Sequence, residues 1–119
     1  MTIGEVSEKY DITADTLRYY ERIGLIPPVP RNRNGIRNFD EAACGWVSFV
    51  KCMRSAGVQI EALIEYVSLM QANTGIERRK NILIEQRARL QKQAEHLKAT
   101  IERLDYKIAN YEKLFANKN

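Results

Sequence analysis

Residues 16–21 read Thr-Leu-Arg-Tyr-Tyr-Glu, and further along comes Asn34-Gly35-Ile36-Arg37. The first run puts a guanidinium and two phenols on about one helical turn. The second is a tight turn followed by another guanidinium. These groups hydrogen-bond phosphate oxygens well and are what a protein uses to fix itself on a duplex. Charge supports that chemistry. Between residues 16 and 37, Arg18, Arg22, Arg31, Arg33 and Arg37 face Glu21 alone, which equals the formal net charge of +4 on the whole 119-residue chain. Arginine gathered in one stretch is the footprint of phosphate contact. The other available chemistry is sulfur. Cys44 and Cys52 fall eight residues apart on one expected helix. That is about 12 Å along its axis, too far for a disulfide. No carboxylate pair, Cys/His couple or phosphate-cradling loop is present, so the chain reads as no enzyme. His96 stands alone, and neither a metal nor another cofactor is expected.

Several helices must position these groups. Thr2-Ile3-Gly4-Glu5 has the form of a capping box and starts a short first helix. Asp11-Ile12 is a turn. Thr13 caps a second helix, which ends at Gly24. Two short helices closely joined make a helix-turn-helix, with the second as the recognition helix. Pro27, Pro28 and Pro30 end the helical pattern, and Asn34-Gly35 signals a β-hairpin, a wing bearing Arg31, Arg33 and Arg37. Asp40 caps a third helix that stops near Gly57, and Ile60, Leu63, Ile64 and Val67 trace the apolar face of a fourth.

Thr74-Gly75-Ile76-Glu77 looks like another capping box, opening a helix that runs to about Phe115. Along it Ile76, Leu83, Leu90, Leu97, Leu104 and Tyr111 recur every seven residues, and Ala94, Ile101, Ile108 and Phe115 form a second such series. These are coiled-coil positions. Lys80 and Arg87 interrupt the second series early, so the stripe is best formed after about Leu90. A helix of roughly 40 residues, on the order of 60 Å long, needs a partner for such a stripe, and self-association supplies one. The expected fold is therefore mostly α. A winged helix-turn-helix with its following helix pair occupies 1–71, and a dimerisation helix occupies 75–116. A homodimer implies a two-fold DNA site.

With Ile23-Gly24-Leu25-Ile26-Pro27-Pro28 between them, the two opening motifs resemble the DNA-binding domain of the MerR family of transcription regulators, over roughly residues 1–70. The resemblance implies that Arg18, Tyr19 and Tyr20 match the family's aromatic and basic helix, with Arg18 on a phosphate. Thr13, Asp15 and Thr16 are placed to reach base edges in the major groove. Arg31 and Arg37 match wing arginines, Gly35 supplies the turn, and Arg54 matches a second contact flank. Ile36 stands where the family usually has Tyr, and Asn38 where an aromatic is commoner. Dimer helices in the family pair antiparallel, an orientation that the sequence itself leaves open. Family activators bind double-stranded promoter DNA and distort it to realign promoter elements for RNA polymerase holoenzyme.

The chain stops soon after the coiled coil, so no separate effector domain is expected, and no cysteine follows Cys52 to suit a soft metal. The run Val50-Lys51-Cys52-Met53-Arg54-Ser55-Ala56-Gly57 resembles the NmlR/AdhR-like branch, whose short members respond to aldehydes or other electrophiles through a cysteine matching Cys52. Lys51 and Arg54 would favour a thiolate there, whereas the C-terminal end of the helix disfavours one. The alternatives are a reactive thiol and a buried inert one, the second giving a ligand-independent repressor or architectural module. The absence of a signal pattern, of a long apolar run and of a disulfide framework points to a cytoplasmic, nucleoid-associated protein and to no membrane partner.

Overall fold

A computed structural model describes residues 1–115. It is mostly helical: α1 (Ile3–Tyr10), α2 (Ala14–Ile23), α3 (Glu41–Ser55), α4 (Ile60–Gln71), α5 (Ile76–Ala109) and α6 (Tyr111–Phe115). Residues 1–86 make one compact unit, and a second begins at Arg87.

The helix boundaries of the first unit follow from side-chain caps. Thr2 Oγ1 accepts the Glu5 N–H at 3.1 Å and Glu5 Oε1 accepts the Thr2 N–H at 2.8 Å, closing the expected box. Asp11 adopts φ 54° and ends α1, and its neighbour Ile12 turns its N–H back to Ser7 O at 3.1 Å. Thr13 then caps α2 through Thr16 N–H, and Gly24 closes it at φ 83°, a conformation that favours glycine. Asp40 caps α3 through Ala43 N–H at 2.8 Å. Val6, Leu17, Leu25, Ile26, Phe39, Val47, Val50 and Val67 are almost fully buried and form the core that joins α1–α4. Trp46 and Phe49 on α3 meet Tyr66 on α4, ring centroids 6.4 and 6.2 Å apart.

The wing is smaller than a β-hairpin. Among the described residues it shows a single antiparallel bridge, Arg31 to Arg37. Gly35 N–H bonds Asn32 O at 3.0 Å, and Gly35 takes φ 75° while Arg33 and Asn34 do not turn left-handed. This is a turn followed by a left-handed glycine, rather than the two-residue turn that Asn-Gly suggests. Asn32 Oδ1 accepts the N–H groups of Asn34 and Ile36, which draws them away from cross-strand pairing. Pro27, Pro28 and Pro30 bring no N–H to a ladder.

The capping box expected at Thr74 is also replaced. Asn73 adopts φ 51°, its N–H bonds Met70 O at 3.1 Å, and the Thr74 N–H bonds Leu69 O at 3.2 Å. Thr74 thus closes α4 in a Schellman motif instead of opening α5. Gly75 follows at φ 67°, where a Cβ would lie 3.1 Å from Leu69 Cδ2. Arg78 on α5 then holds Glu65 on α4 with two hydrogen bonds of 2.9 and 2.8 Å. Each partner favours the other's charged form, so the Glu65 carboxyl sits below its usual range and the Arg78 guanidinium above its own.

In the second unit, Leu97, Ile101, Leu104, Ile108 and Tyr111 are all exposed. The helix expected to reach Phe115 stops at Ala109. At the break, the Asn110 side-chain amide and its backbone N–H share Tyr106 O, at 2.8 and 3.1 Å. α6 then resumes, with the Tyr111 and Phe115 rings 4.6 Å apart. Residue 116, the end of the expected dimer segment, lies outside the described residues.

Candidate nucleic-acid interface

Glu21, the last letter of the Arg-Tyr-Tyr-Glu run, organises this surface. One carboxylate oxygen accepts Arg37 Nε at 2.7 Å and the other accepts Val29 N–H at 2.7 Å. The carboxylate therefore joins α2 to both arms of the wing. Both side chains are largely buried, 15% exposed for Glu21 and 23% for Arg37. Burial pushes the Glu21 carboxyl up, but the Val29 N–H and the Arg37 guanidinium outweigh it and hold the group below the usual range. Nothing local in the sequence marks this role, where Glu21 stands only as the one acid opposing the arginines. The available signal was that isolation: a single carboxylate among five guanidinium groups is a ready partner for one of them.

The expected contact residues fall into two sets. Arg18 projects from α2 and is half-exposed, held at 2.9 Å by Asp15, whose carboxylate is 95% exposed. An ion pair so wet contributes little, so it holds the Arg18 guanidinium only weakly. Thr13 and Thr16 face one another, hydroxyl oxygens 2.7 Å apart, while Thr13 also caps the helix. Tyr19 is exposed with Arg22 stacked over its ring at 5.4 Å, and Tyr20 is half-buried, its carbonyl closing α2 through Leu25 N–H. Arg31 is exposed and bonds Gly35 O at 2.7 Å across the wing. Arg37 and Arg54 belong to the second set, whose groups already hold the fold. Arg37 is the Glu21 partner. Arg54 is half-buried and donates Nη1 to Val58 O, just past the end of α3.

Cys52 is exposed and Cys44 half-buried, both as free thiols. The cations flanking Cys52 are directed elsewhere. Lys51 Nζ donates to Tyr10 O, at the end of α1, and Arg54 to Val58 O. Cys44 Sγ lies 3.8 Å from Phe39 O and 3.9 Å from Met1 Sδ. Among the described residues no three His, Cys, Asp or Glu side chains gather as metal ligands, and no helix is long and apolar enough to cross a membrane.

A short helix pair followed by an arginine-bearing turn, with α2 exposed beside it, defines a helix-turn-helix protein of the nucleic-acid-binding class. Residues 2–39 match the model of the MerR family regulatory proteins. The HTH-type transcriptional regulator AdhR of Bacillus subtilis is 54% identical over 91 residues, which is 76% of this chain but only 65% of AdhR's length. An uncharacterised HTH-type transcriptional regulator of Haemophilus influenzae is 30% identical over 113 residues, 94% of this chain and 84% of its own. The solved structure of HiNmlR, a MerR family regulator lacking the sensor domain and bound to promoter DNA, superposes with a TM-score of 0.86 at 29% identity, covering 99% of this chain and 94% of that one. The chain belongs to the MerR family.

The Glu21 clamp has a pH signature. A carboxyl lowered in the folded state adds stability that is full above its ordinary value, near 4.5, and is lost as pH falls through the depressed folded value. Glu21→Gln is therefore expected to lower stability at neutral pH by about 1–3 kcal/mol, the cost of leaving buried partners unsatisfied. It should also flatten the acid limb below about pH 4.5. Urea denaturation of both proteins between pH 3 and 7 reads this, and parallel curves would contradict it.

Proposed function

We propose that this chain is a transcription regulator that binds a two-fold site in double-stranded promoter DNA as a homodimer. The observation that carries the reading is the Glu21 clamp, which holds the arginine-bearing wing beside α2 so that both address one duplex. α2 enters the major groove with Thr13, Asp15 and Thr16 toward the bases, Arg18 and Tyr19 take phosphates, and Tyr20 packs behind them. Arg31, at the turn made by Gly35, takes a phosphate at the wing. Arg37 reaches DNA from its Glu21 pair, and Arg54 supplies a further flank. The exposed stripe of Leu97, Ile101, Leu104 and Ile108 is the dimer seam, paired antiparallel. Activation proceeds by bending or untwisting the promoter for RNA polymerase holoenzyme, and the protein acts in the cytoplasm at the nucleoid.

Cys52 is the sensor in this reading, modified by an aldehyde or another electrophile, or oxidised. Its exposure supports the role. One observation favours the alternative, a ligand-independent repressor or architectural protein with inert cysteines: both neighbouring cations are engaged by backbone carbonyls rather than poised over the thiol.

Arg18→Ala should weaken binding to every duplex and reduce the slope of log affinity against log salt by about one per contact. Gel-shift titration at several salt concentrations reads this, and an unchanged slope would remove Arg18 from the phosphate contacts. Cys52→Ser should keep DNA affinity within about twofold, as a surface substitution does, while abolishing aldehyde induction of a reporter. Full induction in that variant would leave the alternative standing.

A further inference from the structure

Two residues of α5 are buried among the described residues, Ile82 and, one turn later, Gln86. Gln86 is only 8% exposed and carries a carboxamide into the first unit. Its Oε1 accepts the backbone N–H of Gln59 at 3.2 Å, and its Nε2 donates to Gln59 Oε1 at 3.1 Å. Gln59 is the N-cap residue of α4 and makes no side-chain cap of its own. Gln86 thus serves an amide that the start of a helix leaves without an intrahelical partner.

The turn that this pair grips is also the turn held by Arg54. Val58 N–H bonds Met53 O at 3.0 Å, Gly57 N–H bonds Arg54 O at 3.1 Å, and Arg54 Nη1 donates to Val58 O. Gln59 is the next residue. One short segment is therefore bonded to α3 on one side and to α5 on the other. Besides the half-exposed Arg78–Glu65 pair near its start, which solvent screens, Ile82 and Gln86 anchor α5 in different ways. An apolar contact is non-directional and tolerates a slide along the helix. Two reciprocal amide bonds do not, and fixing register is the best-attested use of a buried polar group.

We infer that the Gln59–Gln86 amide pair is a register latch between α5 and the α3–α4 turn, and that it determines which half-site spacing the protein accepts. The inference rests on the two-fold DNA reading above. In that reading α5 joins two DNA-gripping units, so play at its attachment becomes play in the distance between half-sites. Gln86 and Gln59 are positioning residues here and touch no DNA.

Binding-site selection from a pool of randomised duplexes tests the latch without a known operator. Wild type should enrich one half-site sequence repeated with two-fold symmetry at a single spacing. Gln86→Leu, checked for native helicity by circular dichroism, should enrich the same half-site across several neighbouring spacings. Gln59→Ala, which removes the Oε1 acceptor but keeps the backbone N–H, should broaden the spacing in the same direction and carries the test should Gln86→Leu unfold. A single unchanged spacing in a folded variant overturns the latch. A wild-type pool without two-fold repeats overturns the dimer reading, and the latch with it. A merely structural role for the pair predicts a lower melting temperature with the spacing distribution intact.

Discussion

One carboxylate sets the geometry of the surface shared by α2 and the wing. The wing is a short turn with one bridge, and it lacks the ladder that would make it rigid by itself. Its position beside α2 comes from Glu21, which takes Arg37 from one arm and the Val29 N–H from the other. The pairing is largely buried, so water competes poorly for it, and directional bonds replace missing strand pairing. The consequence for recognition is a division of labour among guanidinium groups. Arg18 and Arg31 are exposed and lightly held, whereas Arg37 and Arg54 are committed to the fold. Part of the positive charge on this surface thus comes from groups that also build it.

The same economy governs the region around Cys52. Lys51 closes the end of α1 through Tyr10 O, and Arg54 closes the end of α3 through Val58 O. Cys52 sits between these two ties, beside the junctions of α3 with its neighbours. Ser55 Oγ, which bonds Cys52 O at 2.8 Å, adds a further local link in the last turn of α3.

Most helix starts were legible because capping chemistry is local: Thr2, Thr13 and Asp40 each cap the helix that the sequence assigned to them. Gly24 ended α2 as expected for the same reason. The misses arose where a local signal had a competing use. Asn34-Gly35 suggested a hairpin, but Asn32 captured the amides that pairing needs. Thr74 resembled a helix start and was spent closing α4. Seven-residue periodicity found the exposed stripe of α5 and passed over Ile82 and Gln86, which lie outside both series and pack in the first unit. Among the candidate contact residues, residue type alone singled out Arg18 and Arg31, which the fold leaves exposed. The tertiary partners of Glu21, Arg37 and Arg54 were invisible because each depends on which backbone group the fold brings near.

On the proposed function, the Glu21 carboxylate makes α2 and the wing act as one DNA-binding surface. Phosphate ethylation interference on a selected operator, comparing wild type with Glu21→Ala, tests it most directly. Wild type is expected to show essential phosphates from α2, from the wing and from the Arg54 flank in each half-site, with only the wing cluster lost in the variant. An undiminished wing cluster in a folded Glu21→Ala protein would contradict it.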